Sequence, residues 1–166
     1  SIKTGPSMSA RSIRAGVIGL GVGEQHLRSY SAIADCEVVS VCDIDPGQLQ
    51  DVADRWNVPG RHTDFRKITE DPDIDVVSIC SYDDAHVEQA ISAFEHGKHV
   101  MVEKPVALHK ADAERVLRAQ QDSGKLITSN LILRRSPRFQ ELRQQIQTGD
   151  LGEIFHIEGD YVHDIL

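Results

Sequence analysis

The residues best suited to chemistry sit in two short stretches, each directly after an apolar run. In the first, Val17 and Ile18 lead into Gly19-Leu20-Gly21-Val22-Gly23, and the chain then turns helical. Glycines belong where a strand reverses tightly into a helix and the backbone must come close to a ligand. The helix start beyond them offers free N–H groups and a positive dipole end, a seat for a pyrophosphate. Gly19, Gly21, Val22 and Gly23 are therefore candidate contacts for the phosphates of a dinucleotide. The spacing is irregular, because the usual third glycine falls where Glu24 stands and the pattern reads GxGxG. An ordinary glycine-rich loop between strand and helix has the same appearance.

In the second stretch, Glu103-Lys104-Pro105 follows the apolar run 99–102. That puts Lys104 at a cleft rim, where a lysine beside a cationic nicotinamide can serve as a proton shuttle. A solvated surface lysine is the plainer reading of that residue by itself. Pro105 biases Lys104 towards an extended backbone, which aims its side chain. Asp43 closes another apolar run, 24 positions after Gly19. A carboxylate there accepts hydrogen bonds from an adenosine ribose, caps the following helix, or does both. Ile44 comes next rather than an arginine, so no cation is supplied for a 2′-phosphate, which favours NAD over NADP. His86, in SYDDAHVEQA, reads either as a wall of a nicotinamide pocket or as a polar group satisfied at a helix start. His26 reads as structural. His62, His96, His99 and His109 have no clustered partners, and no metal site is expected. The pair His163 and Asp164 takes no role from the sequence.

Strands alternating with helices must position these residues. After the first strand come a helix at 24–34, a strand at 37–42, a helix at 46–56 opened by Pro46, and a weak strand at 61–63. Strands at 75–80, 99–102 and 126–128 then alternate with helices at 84–95 and 109–123. This rhythm predicts an α/β fold, a doubly wound parallel Rossmann sheet with strand order 3-2-1-4-5-6 over residues 12–130. Ligands of such sheets bind beyond the carboxyl ends of the strands, where both stretches lie. From Ser136 the texture changes to one helix reaching Gly149, and then residues 152–162 alternate like a strand. Residues 131–166 read as the start of a truncated second domain, α+β in class, for substrate and dimerisation. Its strand either begins a sheet that the chain does not complete or pairs with a second copy. Residues 1–11 read as a tag remnant or a disordered tail.

Composition narrows the function classes. The 166 residues suffice for one full core, and 40% hydrophobic with 27% charged residues is ordinary for a globular protein. A net charge of −8 argues against nucleic acid as a partner. No apolar run approaches the roughly 20 residues that span a bilayer. Cys36, Cys42 and Cys80 show no metal or redox spacing and are expected as free thiols in a reducing cytoplasm.

These motifs together resemble the N-terminal part of the Gfo/Idh/MocA family of nicotinamide-dependent oxidoreductases. The resemblance rests on GLGVGEQH after the first strand, VCD ending the second, DVVSICSYDDAH and, most specifically, GKHVMVEKPVAL; SNLILRRSPRF through LGEIFHIEGDY extends it. It implies that Lys104 is the catalytic lysine, oriented by Pro105, and that Glu103 lies beside the cofactor. By the same resemblance Ser81, Tyr82, Asp83 and His86 line the nicotinamide half, and Asp43 holds the ribose. Tyr82-Asp83 departs from the family's frequent Pro-Asn. Family members continue into an open β-sheet domain with an Asp and a His that share proton transfer with the lysine. The implied function is the NAD-binding domain of an enzyme moving hydride between nicotinamide and a sugar, polyol or related alcohol. The chain itself is then a fragment with little or no turnover, able to self-associate through its last strand. Two rivals are a non-catalytic NAD sensor and an interaction module with a vestigial nucleotide loop.

Overall fold

Six short strands, most of them rich in β-branched residues, lie side by side in one parallel sheet whose sequence order runs third, second, first, fourth, fifth, sixth. The computed structural model describes residues 11–160 and 162. The first ten residues of the expected tail, together with His163 and Asp164, lie outside the described residues. The elements are β1 (Ile13–Ile18), α1 (Gly23–Ser31), β2 (Cys36–Cys42), α2 (Pro46–Trp56), β3 (Gly60–His62), α3 (Arg66–Thr69), β4 (Val76–Ile79), α4 (His86–Glu95), β5 (His99–Val102), α5 (Lys110–Ser123), β6 (Ile127–Ser129) and α6 (Pro137–Thr148). Strand order and parallel pairing agree with the doubly wound Rossmann expectation. The one-turn helix α3 has no sequence signature, because four residues are too few to show a helical period.

Alternation along the strands builds two cores. Val17 faces Leu20, Leu27, Val41, Leu49 and Val52 on the α1–α2 side, while its neighbour Ile18 joins Ile68, Val77, Ile79, Phe94 and Val102 on the other. The pairing of β1 with β2 slips after Ala15, which opposes Val38, so that Gly16 opposes Ser40. The skipped Val39 explains why Val39 and Val41, two residues apart, face opposite cores.

Local chemistry sets the helix ends. Asp45 caps α2, its carboxylate accepting from the N–H groups of Gly47 at 2.8 Å and Gln48 at 3.3 Å, with Pro46 at the first helical position. The cap therefore falls to Asp45 and leaves Asp43 free for the rim of the sheet. No helix among the described residues is long and apolar enough to cross a membrane.

The chain divides into two compact units between Asn130 and Leu131. In the second, a 3-10 turn (Ile132–Arg135) precedes α6, and Gly149 ends that helix in a left-handed conformation at φ 79°. Among the described residues the strand expected over 152–162 does not form. Alternating side chains can create a sheet face, but the hydrogen bonds must come from an adjacent strand, and none pairs with this segment.

Candidate functional site

Residues just past the strands line the carboxyl edge of the sheet and continue its ladder. The N–H of Gly19 donates to the Cys42 carbonyl at 2.8 Å, and that of Cys80 to Ile18 at 2.7 Å. Beyond β5 and β6, Glu103 donates to Ile79 at 2.8 Å and Asn130 to Val102 at 3.1 Å. The turns carrying the candidate residues are thus stitched to their neighbours before any ligand arrives.

At the β1–α1 turn the three glycines do three different things. Gly19 holds φ +85°, and a Cβ there would lie 2.5 Å from the backbone carbonyl of Cys80. That conformation and that contact both require glycine. Gly23, the first residue of α1, would place a Cβ 2.9 Å from a Val17 methyl and 3.4 Å from Cys80 Cβ. It therefore performs the close helix–strand packing usually assigned to the third glycine, one position early. Gly21 is exposed, and a Cβ on it would meet nothing within 4 Å. Open space over a bare backbone, at the head of a helix of nine residues, is the room a diphosphate needs. The irregular spacing is thereby explained. Glu24, at the usual third-glycine position, points instead to α2, accepting from Trp56 Nε1 at 2.9 Å and from Arg55. These two donors hold its carboxyl below the usual value.

Asp43 braces the same turn. One carboxylate oxygen accepts from the Leu20 N–H at 2.7 Å and the other from Asp45 N–H at 2.9 Å. Two oxygens offer about four acceptor directions, so capacity remains for a ribose diol. Gln48 Nε2 adds a bond to the Leu20 carbonyl at 3.2 Å. Ile44, 74% exposed, presents a bare apolar surface beside Asp43.

Across the sheet's midline the His86 ring fills the space between the β4 and β5 turns. Its ring has no exposed surface; Nδ1 lies 2.7 Å from the Pro105 carbonyl and Nε2 3.1 Å from that of Ser81. The histidine thus supports the two loops from beneath. Ser81 donates to Gln89 Oε1 at 2.7 Å, whereas Tyr82 and Asp83 are exposed. Lys104 is also exposed, and its peptide bond to Pro105 is cis.

Glu103 turns inward. Burial works to raise its pKa, but the side-chain amide of Asn130 at 2.7 Å, the His26 ring at 3.0 Å and the Lys104 N–H at 3.3 Å outweigh it and hold the carboxyl below its usual value. His26 also meets Ser78 Oγ at 3.1 Å, and the Tyr30 hydroxyl meets the same oxygen at 2.6 Å. Sequence reasoning did not connect these five residues. The only available signal was the spacing of His26 and Tyr30, four apart on one helical face.

A family model described as an oxidoreductase family with an NAD-binding Rossmann fold, Gfo/Idh/MocA, matches residues 13–131. The chain is 32% identical over 151 residues to an inositol 2-dehydrogenase of Salmonella paratyphi B, covering 89% of this chain and 45% of that protein. It is also 32% identical over 151 residues to a D-glucoside 3-dehydrogenase of Escherichia coli, covering 90% and 43%. A crystal structure of scyllo-inositol dehydrogenase from Lactobacillus casei, with NAD(H) and scyllo-inositol bound, superposes with a TM-score of 0.80 at 25% identity, over 86% of this chain and 43% of that one. The chain spans less than half the length of these relatives.

Proposed function

The chain belongs to the Gfo/Idh/MocA oxidoreductase family, with its NAD-binding Rossmann fold, and we propose that it forms the cofactor-binding part of a dehydrogenase acting on a sugar, polyol or related alcohol. The observation that carries this reading is the β1–α1 turn, where Gly21 leaves open backbone between Gly19, which the turn requires, and Gly23, which packs tightly on β1. In this reading the turn from Gly19 to Gly23 takes the diphosphate on its N–H groups. Asp43 accepts from the adenosine ribose, with Ile44 leaving no cation for a 2′-phosphate, and NAD is preferred to NADP. Ser81, Tyr82, Asp83 and Pro105 border the nicotinamide end, and His86 holds the two loops that carry them at a fixed separation.

When bound, NAD supplies the hydride acceptor. Lys104, exposed at the rim beside the braced Glu103, takes up the proton of the substrate hydroxyl. Holding the reacting groups together supplies much of the rate in such chemistry. The relatives are more than twice as long as the matched region, so the proposal includes that these 166 residues alone bind cofactor and turn over little. Inositol and glucoside dehydrogenases among the relatives favour a polyhydroxylated substrate. Self-association through residues 152–162 belongs to the same reading, since an alternating segment can find its partner in a second copy. Free thiols at Cys36, Cys42 and Cys80 suit a reducing compartment such as the cytoplasm.

Calorimetric titration of the chain with NAD and with NADP tests the proposal. Binding of NAD, tighter than NADP, is expected; no heat with either would leave only a vestigial loop. In the whole dehydrogenase, Lys104→Ala abolishes turnover with NAD affinity nearly unchanged. A pure sensor has no turnover to lose.

A further inference from the structure

Five polar side chains, two from helix α1 and three from strands or their ends, make one largely buried run at the candidate site. Tyr30 and His26 come from α1, Ser78 from β4, Glu103 from the end of β5 and Asn130 from the end of β6. Ser78 is fully buried, His26 is 6% exposed and the Glu103 side chain 13%. An apolar pair would close the gap between helix and sheet more simply, so this arrangement calls for a role.

The donor to the carboxylate is fixed by elimination. A carboxylate only accepts, so His26 Nε2 carries the hydrogen shared with Glu103 Oε1. Nδ1 of the ring and the Tyr30 hydroxyl both meet Ser78 Oγ, which joins the two α1 side chains to β4. The run ends on Glu103 Oε1, which accepts from His26 Nε2 and from the Asn130 amide. That carboxylate in turn accepts the N–H of Lys104 on its other oxygen.

We propose that His26 is a positioning residue that couples the diphosphate seat at the head of α1 to the Lys104 turn, through Glu103. This rests on the function proposed above. Gly23 opens α1, and His26 follows three residues later on the same rigid turn. A ligand that settles the N-terminus of α1 therefore also settles His26, and with it Glu103, the Lys104 backbone and Asn130. Directional hydrogen bonds between buried groups transmit such a shift where a greasy contact would slip.

The probe is ADP, which fills the diphosphate seat but carries no nicotinamide, so any response at Lys104 must pass through the protein. In amide and side-chain NMR spectra of the chain, ADP is expected to move the signals of Gly21 and Gly23, the Lys104 N–H and the Asn130 side-chain amide. In His26→Leu the glycine signals still move and those of Lys104 and Asn130 stay still. His26→Gln, which returns an N–H near the place of Nε2, restores them. A His26→Leu chain with the full Lys104 response, or a wild-type response confined to the glycines, overturns the coupling while leaving the dinucleotide reading intact. No response at the glycines overturns the dinucleotide reading itself. Should His26→Leu fail to fold, the nitrogen spectrum of the wild-type ring decides: hydrogen on Nε2 is required, and a bare Nε2 overturns the proposal.

Discussion

Replacing Gly21 with alanine separates a ligand seat from a merely tight turn. A Cβ at Gly21 meets no atom within 4 Å, and its φ is outside the left-handed range, so the substitution should leave folding essentially unchanged. The same substitution at Gly23 drives a Cβ to 2.9 Å from Val17 and 3.4 Å from Cys80. Overpacking of that kind costs about 1–3 kcal/mol, which in a domain of this size lowers Tm by roughly 2–12 °C. Affinity should follow the opposite ranking of cause. In Gly21→Ala the new methyl occupies the space proposed for the diphosphate and displaces it from at least one backbone N–H. A hydrogen bond to a charged group contributes about 1.5–3 kcal/mol, so Kd for NAD rises roughly 10- to 150-fold. Thermal unfolding gives the stability of both variants, and NADH fluorescence titration gives the affinity. If Gly21→Ala binds NADH as the wild type does, the turn does not hold the diphosphate. If it unfolds as early as Gly23→Ala, the space above Gly21 is not open.

Three further outcomes follow from the electrostatics and packing. Glu103 is held below the usual carboxyl pKa of 4.5, so its ionised form stabilises the fold at neutral pH and that contribution fades as pH falls. The gap in urea midpoint between wild type and Glu103→Gln should be constant from pH 7 to about 5 and shrink below it; a gap that widens in acid would refute the assignment. Burial pushes the thiols of Cys42 and Cys80 up to about 12, so at pH 8 a disulfide reagent should label no more than Cys36 promptly and reach all three only in denaturant. His86→Ala leaves a part-buried carbonyl of Pro105 or Ser81 without its donor, a loss of about 0.5–1.5 kcal/mol before any cavity is counted. Chemical denaturation checks this, and a variant as stable as the wild type would show that the loops do not depend on the ring.

Much of the fold was legible along the chain because its signals are local. Apolar, β-branched runs closed by glycine or a polar residue give most of the strands, and their alternation with helices gives the doubly wound order. Pro46 opens α2 and Gly124 ends α5 through backbone preferences that need no distant partner. The rim residues were legible for the same reason: in a parallel sheet the positions after the strands must share one edge, so Gly19, Asp43, Ser81 and Lys104 belong together.

Whatever depends on contact across the sheet was not legible. The bulge that turns Val39 away from Val41 is a property of the β1–β2 pairing, and EVVSVC looks regular without it. From the sequence Asp43 is a ribose ligand or a helix cap; its oxygens also fix the Leu20 and Asp45 backbones, which depends on 2.7–2.9 Å approaches. The strand expected at 152–162 shows the converse, a local pattern that stays unpaired because hydrogen bonding needs a neighbour. His26, Ser78 and Glu103 are separated by up to 77 positions yet meet in one buried run. Periodicity records which face of an element is apolar; which polar groups face one another is decided only when the elements pack, because burial then obliges each to find a partner.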